Sequence, residues 1–256
     1  MRFSGVPLLV ACSLSVLFSQ SYLDHDLLKM AKEGAQIVLV GRTASKLKSV
    51  ESEINSSGGI SKSFALDVAD STAVHAMATE VIKEFGSIDI LVNNAGHNSP
   101  HRMLLTTTPD DIKEVLASNL VGTIYCTQAV VPSMMEAGKG TIINISSISG
   151  IMPVPMGGMI YSASKAAVIN LTEFINEEFK NTGIRASVII PGEVDTPLLD
   201  TRPVVPSKKA KKTMVTSDDV AEAIMLIANL PNRSAIPHLV IQPTILRDQS
   251  GEVGIS

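Results

Sequence analysis

The stretch "SQSYLDHDLLKMAKEGAQIVLVGR", residues 19–42, contains a helix-like segment, then Gly34, then an apolar strand at residues 36–40. This order is typical of proteins in which helices alternate with buried parallel strands. The first helix of a dinucleotide-binding domain normally follows a glycine-rich turn that holds a pyrophosphate. No glycine occurs between Gly5 and Gly34, so the stretch raises the question of whether a dinucleotide can still be held.

The same alternation continues along the chain. Runs rich in Ile, Val and Leu predict strands at residues 36–40, 63–66, 88–93, 141–145, 185–190 and 238–241. Helical periodicity predicts helices near residues 71–85, 109–135, 161–181 and 217–230. We therefore expect an α/β domain with a parallel sheet that is buried on both faces by helices.

Composition excludes several classes of protein. The chain has 256 residues, a net charge of -4 and 45% hydrophobic residues, which suits one α/β domain and argues against nucleic acid as a partner. Cys12 and Cys126 cannot form a disulfide framework, and they match no metal-ligand spacing. The five dispersed histidines complete no metal set, so no metal site is predicted.

The first residues, "MRFSGVPLLVACSLSVLFSQS", have a pattern of their own. Arg2 precedes an apolar run at residues 6–18, and the small residues Ser19 and Ser21 follow it. Three interpretations stay open: a signal sequence or membrane anchor, a buried core strand with its turn, or an aberrant start unrelated to the fold. Any membrane contact is expected only through residues 6–18.

Polar motifs follow the predicted strands. "NNAG" lies at residues 93–96, "SNLVG" at 118–122, "NISSISG" at 144–150, "YSASK" at 161–165 and "PGEVDT" at 191–196. In an open parallel sheet, ligands bind at the carboxyl ends of the strands. The sequence therefore places its chemistry at that edge.

These motifs, in this order, resemble the short-chain dehydrogenase/reductase family over residues 31–243. The resemblance implies a single Rossmann-type, doubly wound domain and a catalytic tetrad of Asn119, Ser147, Tyr161 and Lys165. Ser146 is a rival for the role of Ser147, and Ser149 is a weaker one. In this family the asparagine bends its helix and holds a water molecule of a proton relay.

Tyr161 and Lys165 are four residues apart, so they share one face of a helix. An ordinary tyrosine, with a pKa near ~10, is a poor acid or base at neutral pH, and a nearby ammonium favours its phenolate. We expect Tyr161 to be the general acid/base, and Ser147 to donate a hydrogen bond to the substrate oxygen.

The residue after the second strand predicts the cofactor. A phosphorylated ribose favours a cation there, and this chain has Arg42 where NAD-binding folds usually have an acidic residue. We expect NADP(H), with NAD(H) disfavoured. Together with the resemblance, this assigns the following cofactor contacts: Arg42, Asp67, Val68, Asn94, Ala95, Gly96, Tyr161, Lys165, Pro191, Gly192, Val194 and Thr196.

The family's glycine-rich motif falls near residues 16–23, which read "VLFSQSYL". The first strand of the fold is therefore altered or replaced. We predict that residues 7–12 substitute for it and that residues 13–21 form an altered turn or an added helical turn. The chain is then expected to divide into an atypical segment, 1–21, and the domain, 22–256.

The sequence thus predicts an NADP(H)-dependent oxidoreductase that interconverts a small carbonyl compound and a secondary alcohol by hydride transfer. The alternative is a catalytically impaired protein on the same scaffold, a splice form, wrong gene start or pseudoenzyme, that cannot bind the dinucleotide normally. The resemblance implies a cytoplasmic homodimer or homotetramer, whereas residues 1–21 leave the secretory pathway or a membrane open.

Overall fold

Seven of the apolar segments pair into one parallel sheet in the computed structural model, which describes residues 7–11, 24–152, 154–202 and 204–249. The strands lie in the order β3-β2-β1-β4-β5-β6-β7. They are β1 (Pro7–Ala11), β2 (Gln36–Gly41), β3 (Ile60–Ala65), β4 (Ile90–Asn93), β5 (Gly140–Ile145), β6 (Ile184–Pro191) and β7 (His238–Ile241). The chain order reverses between β1 and β4, and this is where open α/β sheets bind ligands.

Helices cover both faces of the sheet. They are α1 (Asp24–Lys32), α2 (Ala44–Ser56), α3 (Ser71–Phe85), α4 (Pro109–Leu116), α5 (Gly122–Ala137), α6 (Ile148–Ile151), α7 (Met159–Glu178), α8 (Lys208–Lys211) and α9 (Ser217–Ala228). Helices α1, α2 and α9 share one buried apolar cluster with the sheet, and α3, α5 and α7 share the other. The predicted α/β, doubly wound fold is confirmed.

Strand β1 lies in the middle of the sheet. It pairs in parallel with β2 on one side and β4 on the other. The segment that we predicted to replace the first strand therefore forms a strand, β1, between β2 and β4. If β1 were missing, β2 and β4 would each have an unpaired edge. Cys12 and the predicted turn at 13–21 lie outside the described residues, and the division of the chain at residue 21 stays a prediction.

One expectation about the elements was wrong, and one helix was missed. The strands β3 and β7 lie at the two edges of the sheet, and their residues are partly exposed instead of being buried on both faces. Helix α2 was missed, although Leu47, Val50 and Ile54 recur at helical spacing and are buried.

The segment Pro109–Ala137 is, among the described residues, the one long and apolar enough to cross a membrane by length and composition alone. However, 56% of its most apolar window is buried inside the fold. Its Val130 and Met134 pack in a core cluster with α3, so its apolar character is explained by the core of the domain.

Candidate active site

A cavity of about 350 Å³ opens at the carboxyl ends of β4, β5 and β6. Ser147, Tyr161 and Lys165 of the predicted tetrad line it. Of the predicted cofactor contacts, eight line the same cavity: Tyr161 and Lys165 themselves, with Asn94, Gly96, Pro191, Gly192, Val194 and Thr196. Segments that are far apart in sequence therefore meet here, as parallel strands with a common carboxyl edge require.

Lys165 is buried beneath this cavity. Its side chain comes from α7, its Nζ donates a hydrogen bond to the carbonyl oxygen of Ile145 at 2.8 Å, and only 4% of the residue is exposed. Burial lowers the pKa of Lys165 to about 8, since a charged amine loses hydration there. The ammonium is thus charged at neutral pH but close to its titration point.

Tyr161 lies one helical turn before Lys165. The Lys165 Nζ is 5.7 Å from the centre of the Tyr161 ring, a distance at which a cation is attracted to an aromatic face. Gly158, with φ of 84°, precedes the helix, and the Met159 N–H donates to the Arg102 carbonyl at 2.9 Å. These contacts fix the start of α7, and with it the position of the tyrosine ring in the cavity wall.

The two main candidate serines, Ser146 and Ser147, have different hydrogen-bond partners. The Ser146 hydroxyl donates to the Lys165 backbone carbonyl at 2.7 Å, so it ties β5 to α7. The Ser147 Oγ accepts a hydrogen bond from the Ser149 N–H at 3.2 Å. The hydroxyl hydrogen of Ser147 does not take part in that bond. Ser147 therefore suits a donor to a substrate oxygen better than Ser146 does.

Asn119 joins two parts of the site. It lies in a π-helical turn, Ala117–Val121, which interrupts the single helix predicted over residues 109–135. Its Oδ1 accepts from the His97 N–H at 2.9 Å, and its Nδ2 donates to the His97 carbonyl at 3.1 Å and to the Ser164 Oγ at 3.0 Å. The side chain thus holds the loop after β4 against α7, and the water that it would bind stays a prediction.

Sequence reasoning assigned no role to a buried amide pair beneath the site. The Asn93 Nδ2 donates to the Asn144 Oδ1 at 2.9 Å, and the Asn144 Nδ2 donates to the Thr172 Oγ1 at 2.9 Å. Asn93 and Asn144 stand opposite each other in β4 and β5. The sequence has an asparagine near the end of each of these two apolar strands, and this pattern could have predicted the contact.

Three of the predicted cofactor residues, Arg42, Asp67 and Val68, follow strands β2 and β3, which lie on the other side of β1 from the cavity. Arg42 follows β2 and is exposed. Asp67 follows β3, and its Oδ1 accepts from the Ala69 N–H at 2.9 Å, as in an ordinary turn. Val68 is buried, and a Cβ on Gly122 would approach its Cγ2 to 2.5 Å, so Val68 packs on α5.

His97 is a residue of this region that the sequence did not single out as a site residue. Burial is the main cause that lowers its pKa, and the charge of Arg42 lowers it further while those of Glu114 and Asp67 raise it. The charges that affect His97 thus include those of Arg42 and Asp67, two of the predicted cofactor contacts.

Gly96 and Lys165 both line the cavity, whose volume of about 350 Å³ has room for a flat ring. A Cβ on Gly96 would come to 3.0 Å from the Asn119 Oδ1 and 3.4 Å from the Lys165 Nζ. Glycine at this position therefore lets the loop after β4 pack closely against Asn119 and Lys165. Residues 12–23, where the family's pyrophosphate turn would fall, lie outside the described residues, and Ala95 is buried next to Gly96.

Within the part of the chain that the structure describes, no group of three or more His, Cys, Asp or Glu side chains could hold a metal ion. His101 instead pairs with Asp111, its Nδ1 lying 2.9 Å from the Oδ2. This histidine therefore belongs to the local structure at the start of α4.

Comparisons with known proteins agree with this geometry. Residues 27–203 match the family model described as short chain dehydrogenase. An uncharacterised oxidoreductase of Staphylococcus aureus is 32% identical over 212 residues, which cover 83% of this chain and 88% of that protein.

Two solved structures share the fold. A metagenomic short-chain oxidoreductase in complex with NADP superposes with a TM-score of 0.80 at 31% identity, covering 96% of this chain and all of that one. An NAD+-bound xylitol dehydrogenase has a TM-score of 0.82 at 23% identity, covering 95% of this chain and 100% of the other, and supports the fold alone. The chain therefore belongs to the short-chain dehydrogenase family and is an oxidoreductase of that family.

Proposed function

We propose that this protein interconverts a carbonyl compound and a secondary alcohol with NADP(H). The observation that carries the proposal is the buried Lys165 beside Tyr161 in a cavity that also contains Ser147 and Gly96. A buried ammonium next to a phenol does not stabilise the fold, because burying a charge costs free energy. Its positive charge can instead lower the pKa of the phenol, which favours acid/base chemistry at that group.

Each side chain has one role in the reductive direction. Ser147 donates a hydrogen bond to the substrate oxygen, which orients it and stabilises the negative charge that develops there. The bound cofactor would supply a hydride to the carbonyl carbon, and the Tyr161 hydroxyl would give its proton to the carbonyl oxygen. The ammonium of Lys165 then stabilises the Tyr161 phenolate until it is reprotonated.

The cofactor supplies or accepts the hydride when it is bound. We assign its nicotinamide end to the walls at Asn94–Gly96 and at Pro191, Gly192, Val194 and Thr196. Its adenosine end is assigned to Asp67, Val68 and Arg42. The exposed guanidinium of Arg42, at the end of β2, supports NADP(H) over NAD(H), because it can pair with a ribose phosphate.

Replacing Arg42 by alanine tests this assignment. We expect the dissociation constant for NADPH to rise ~10- to 100-fold, the effect of losing charge-assisted hydrogen bonds, while that for NADH stays nearly unchanged. Fluorescence titration with both cofactors measures the two constants. Lys48→Ala is the matched control, since Lys48 is an exposed cation on α2 that pairs with Glu51. Equal weakening of both cofactors would remove Arg42 from the phosphate site.

The rival hypothesis, a catalytically impaired protein on this scaffold, is favoured by the absence of any glycine between Gly5 and Gly34. Side chains in a pyrophosphate turn obstruct the close approach of the backbone to the phosphates. Wild-type protein that shows no saturable binding at millimolar NADPH would establish this hypothesis and refute the enzyme.

A pair of serine variants tests the substrate contact. We expect Ser147→Ala to lower kcat ~10²- to 10³-fold, as the loss of one donor to a developing oxyanion does. Ser146→Ala should instead lower the free energy of unfolding by about 1 kcal/mol and change kcat far less, because its hydroxyl binds backbone. Steady-state rates and urea unfolding of both variants distinguish the roles, and the reverse ranking in kcat would exchange them.

Assembly and location are part of the same proposal. The family suggests a homodimer or homotetramer through α4, α5 and α7, and the exposed apolar side chains Ile112 and Phe174 on α4 and α7 support it. Sedimentation as a monomer at micromolar concentration would refute this. We also propose a cytoplasmic location, to be checked by fractionating cells that express the full chain.

A further inference from the structure

Three large apolar side chains line the cavity and are nevertheless exposed to solvent. Met152 is 58% exposed, Ile245 62% and Leu246 76%. Single exposed apolar side chains are common on protein surfaces, whereas a group of them at one concave surface marks a binding site. This group lines the same cavity as Ser147 and Tyr161.

Buried side chains extend the apolar lining. Met156 and Leu199 are buried and line the same cavity. Pockets for small molecules are commonly lined by apolar side chains, with a few polar groups that fix the orientation of the ligand. Ser147 and Tyr161 are such polar groups here, so the cavity suits a ligand with one reacting oxygen and an apolar remainder.

The exposed apolar side chains come from segments other than those assigned to the nicotinamide. Met152 follows α6, and Ile245 and Leu246 follow β7. The walls assigned to the nicotinamide come instead from the loop after β4 and from residues 191–196. This assignment leaves the three apolar side chains to the substrate.

The segment at residues 242–249 is tied to the segment after β6. The Arg247 Nε donates to the Glu193 Oε2 at 2.6 Å, and a second Arg247 nitrogen donates to the Oε1. The side chains of Arg247 and Glu193 are 14% and 8% exposed, and paired hydrogen bonds of this kind fix geometry. Ile245 and Leu246, which directly precede Arg247, therefore belong to a segment with a defined position at the cavity.

The three arginines that line the cavity bond other protein groups. Arg202 donates to the Glu193 Oε1 at 2.6 Å, and Arg102 donates to the Met156 carbonyl. Arg247 donates to Glu193 as described above. Each arginine therefore has an acceptor within the protein and contributes to the structure of the wall.

We propose that the substrate has an apolar body that packs against Met152, Ile245 and Leu246, while its oxygen lies at Ser147 and Tyr161. The inference rests on the proposed function, because it names the substrate class of that site: ketones and secondary alcohols that carry an alkyl chain or an apolar ring. The contact removes apolar surface of both partners from water, and each methylene group that becomes buried tightens binding by about fourfold.

Equilibrium binding of a homologous series tests this contact without turnover. The probes are 2-butanol, 2-hexanol and 2-octanol, titrated by calorimetry with and without NADPH, which cannot oxidise them. We expect the dissociation constant to fall about two- to fourfold for each added methylene group. Leu246→Ser should weaken 2-octanol about three- to tenfold and leave 2-butanol nearly unchanged, whereas Leu246→Met, which keeps the volume and apolar character, should retain most of the dependence.

Leu105→Ser is the matched control, because Leu105 is 95% exposed and does not line the cavity. It should leave the whole series unchanged. Thermal melting shows whether each variant is folded, and if Leu246→Ser unfolds, the wild-type series and Leu246→Met decide. Wild-type affinity that does not increase with chain length, or a Leu246→Ser variant that weakens all three alcohols equally, would overturn the proposal.

A second copy of this chain is the rival occupant of the exposed side chains. Sedimentation of the wild type and of Leu246→Ser tests it. We expect the same assembly in both proteins. A loss of assembly in Leu246→Ser, with the alcohol series as in the wild type, would assign the side chains to an interface between copies and refute the proposal.

A kinetic comparison separates this inference from the proposed function. We expect kcat/KM with NADPH to rise from 2-butanone to 2-octanone, and Leu246→Ser to remove most of the rise. Equal turnover of the short and long ketones would overturn the apolar contact and leave the carbonyl reductase intact. Affinity for the alcohols that increases with chain length, in a protein that binds no NADPH, would retain the contact and refute the proposed function.

Discussion

Tyr161→Phe is expected to lower kcat ~10²- to 10⁴-fold, the range for loss of a positioned general acid/base. The substitution removes one hydroxyl and leaves the ring, so the cation–ring contact with Lys165 at 5.7 Å should persist. Because Tyr161 is also a predicted cofactor contact, the dissociation constant for NADPH is measured separately, and we expect it to change far less than kcat. Steady-state kinetics, circular dichroism and cofactor titration together measure these three quantities.

Tyr125→Phe is the matched control for this variant. Tyr125 is partly buried against the apolar cluster shared by α3 and α5, and it does not line the cavity. We expect its kcat to stay within about twofold of the wild type, as for a substitution away from chemistry. Unchanged turnover in Tyr161→Phe would remove Tyr161 from its role, and with it the mechanism.

Lys165→Met is expected to lower kcat by ~10²-fold while the fold stays intact. An ammonium near an acidic group lowers that group's pKa by ~1–3 units, and methionine supplies none of that stabilisation to a phenolate. Methionine has a similar length and fills the same buried space. The free energy of unfolding at pH 7 should stay the same or rise, because the cost of burying a charge is removed.

The pH dependence of stability gives this variant a second readout. The pKa of Lys165 is lowered to about 8 in the folded chain, and it is ~10.4 for an unperturbed lysine. Between these values the unfolded state binds more protons, so the contribution of Lys165 to the free energy of unfolding rises with pH. Urea unfolding from pH 7 to pH 10 should show this rise in the wild type and lose it in Lys165→Met.

Lys113→Met serves as the control, since Lys113 is an exposed residue of α4. It should keep the wild-type kcat and the wild-type pH profile of stability. A Lys165→Met protein that is as active as the wild type, or whose unfolding profile still rises in the same way, would contradict the burial and the role assigned to Lys165.

The π-helical turn at Ala117–Val121 shows where local pattern fails. Apolar spacing over residues 109–135 predicts one continuous helix, because periodicity reports which face is buried. The turn is stabilised by Asn119, which bonds the backbone of His97 twice. His97 is 22 residues earlier in the chain, so no short window of sequence contains both partners.

The family resemblance ranked Ser147 above Ser146 and Ser149, but the hydrogen bonds of these serines could not be read from the sequence. Packing of α7 on β5 brings the Lys165 carbonyl to the Ser146 hydroxyl and leaves Ser147 at the cavity. The arginines around Glu193 gave no sequence signal either, since Arg247 is 54 residues away.

The sequence by itself determined the α/β alternation, the edge of the sheet that carries the site, and the pairing of Tyr161 with Lys165 on one helical face. These follow from periodicity and from spacing within single elements. Only the tertiary structure decided that β1 fills the centre of the sheet, that Lys165 is buried on the Ile145 carbonyl, and that Arg102 and Arg202 line one cavity. The physical reason is that burial and local charge are sums over contacts between distant segments, and these contacts exist only once the segments have packed together.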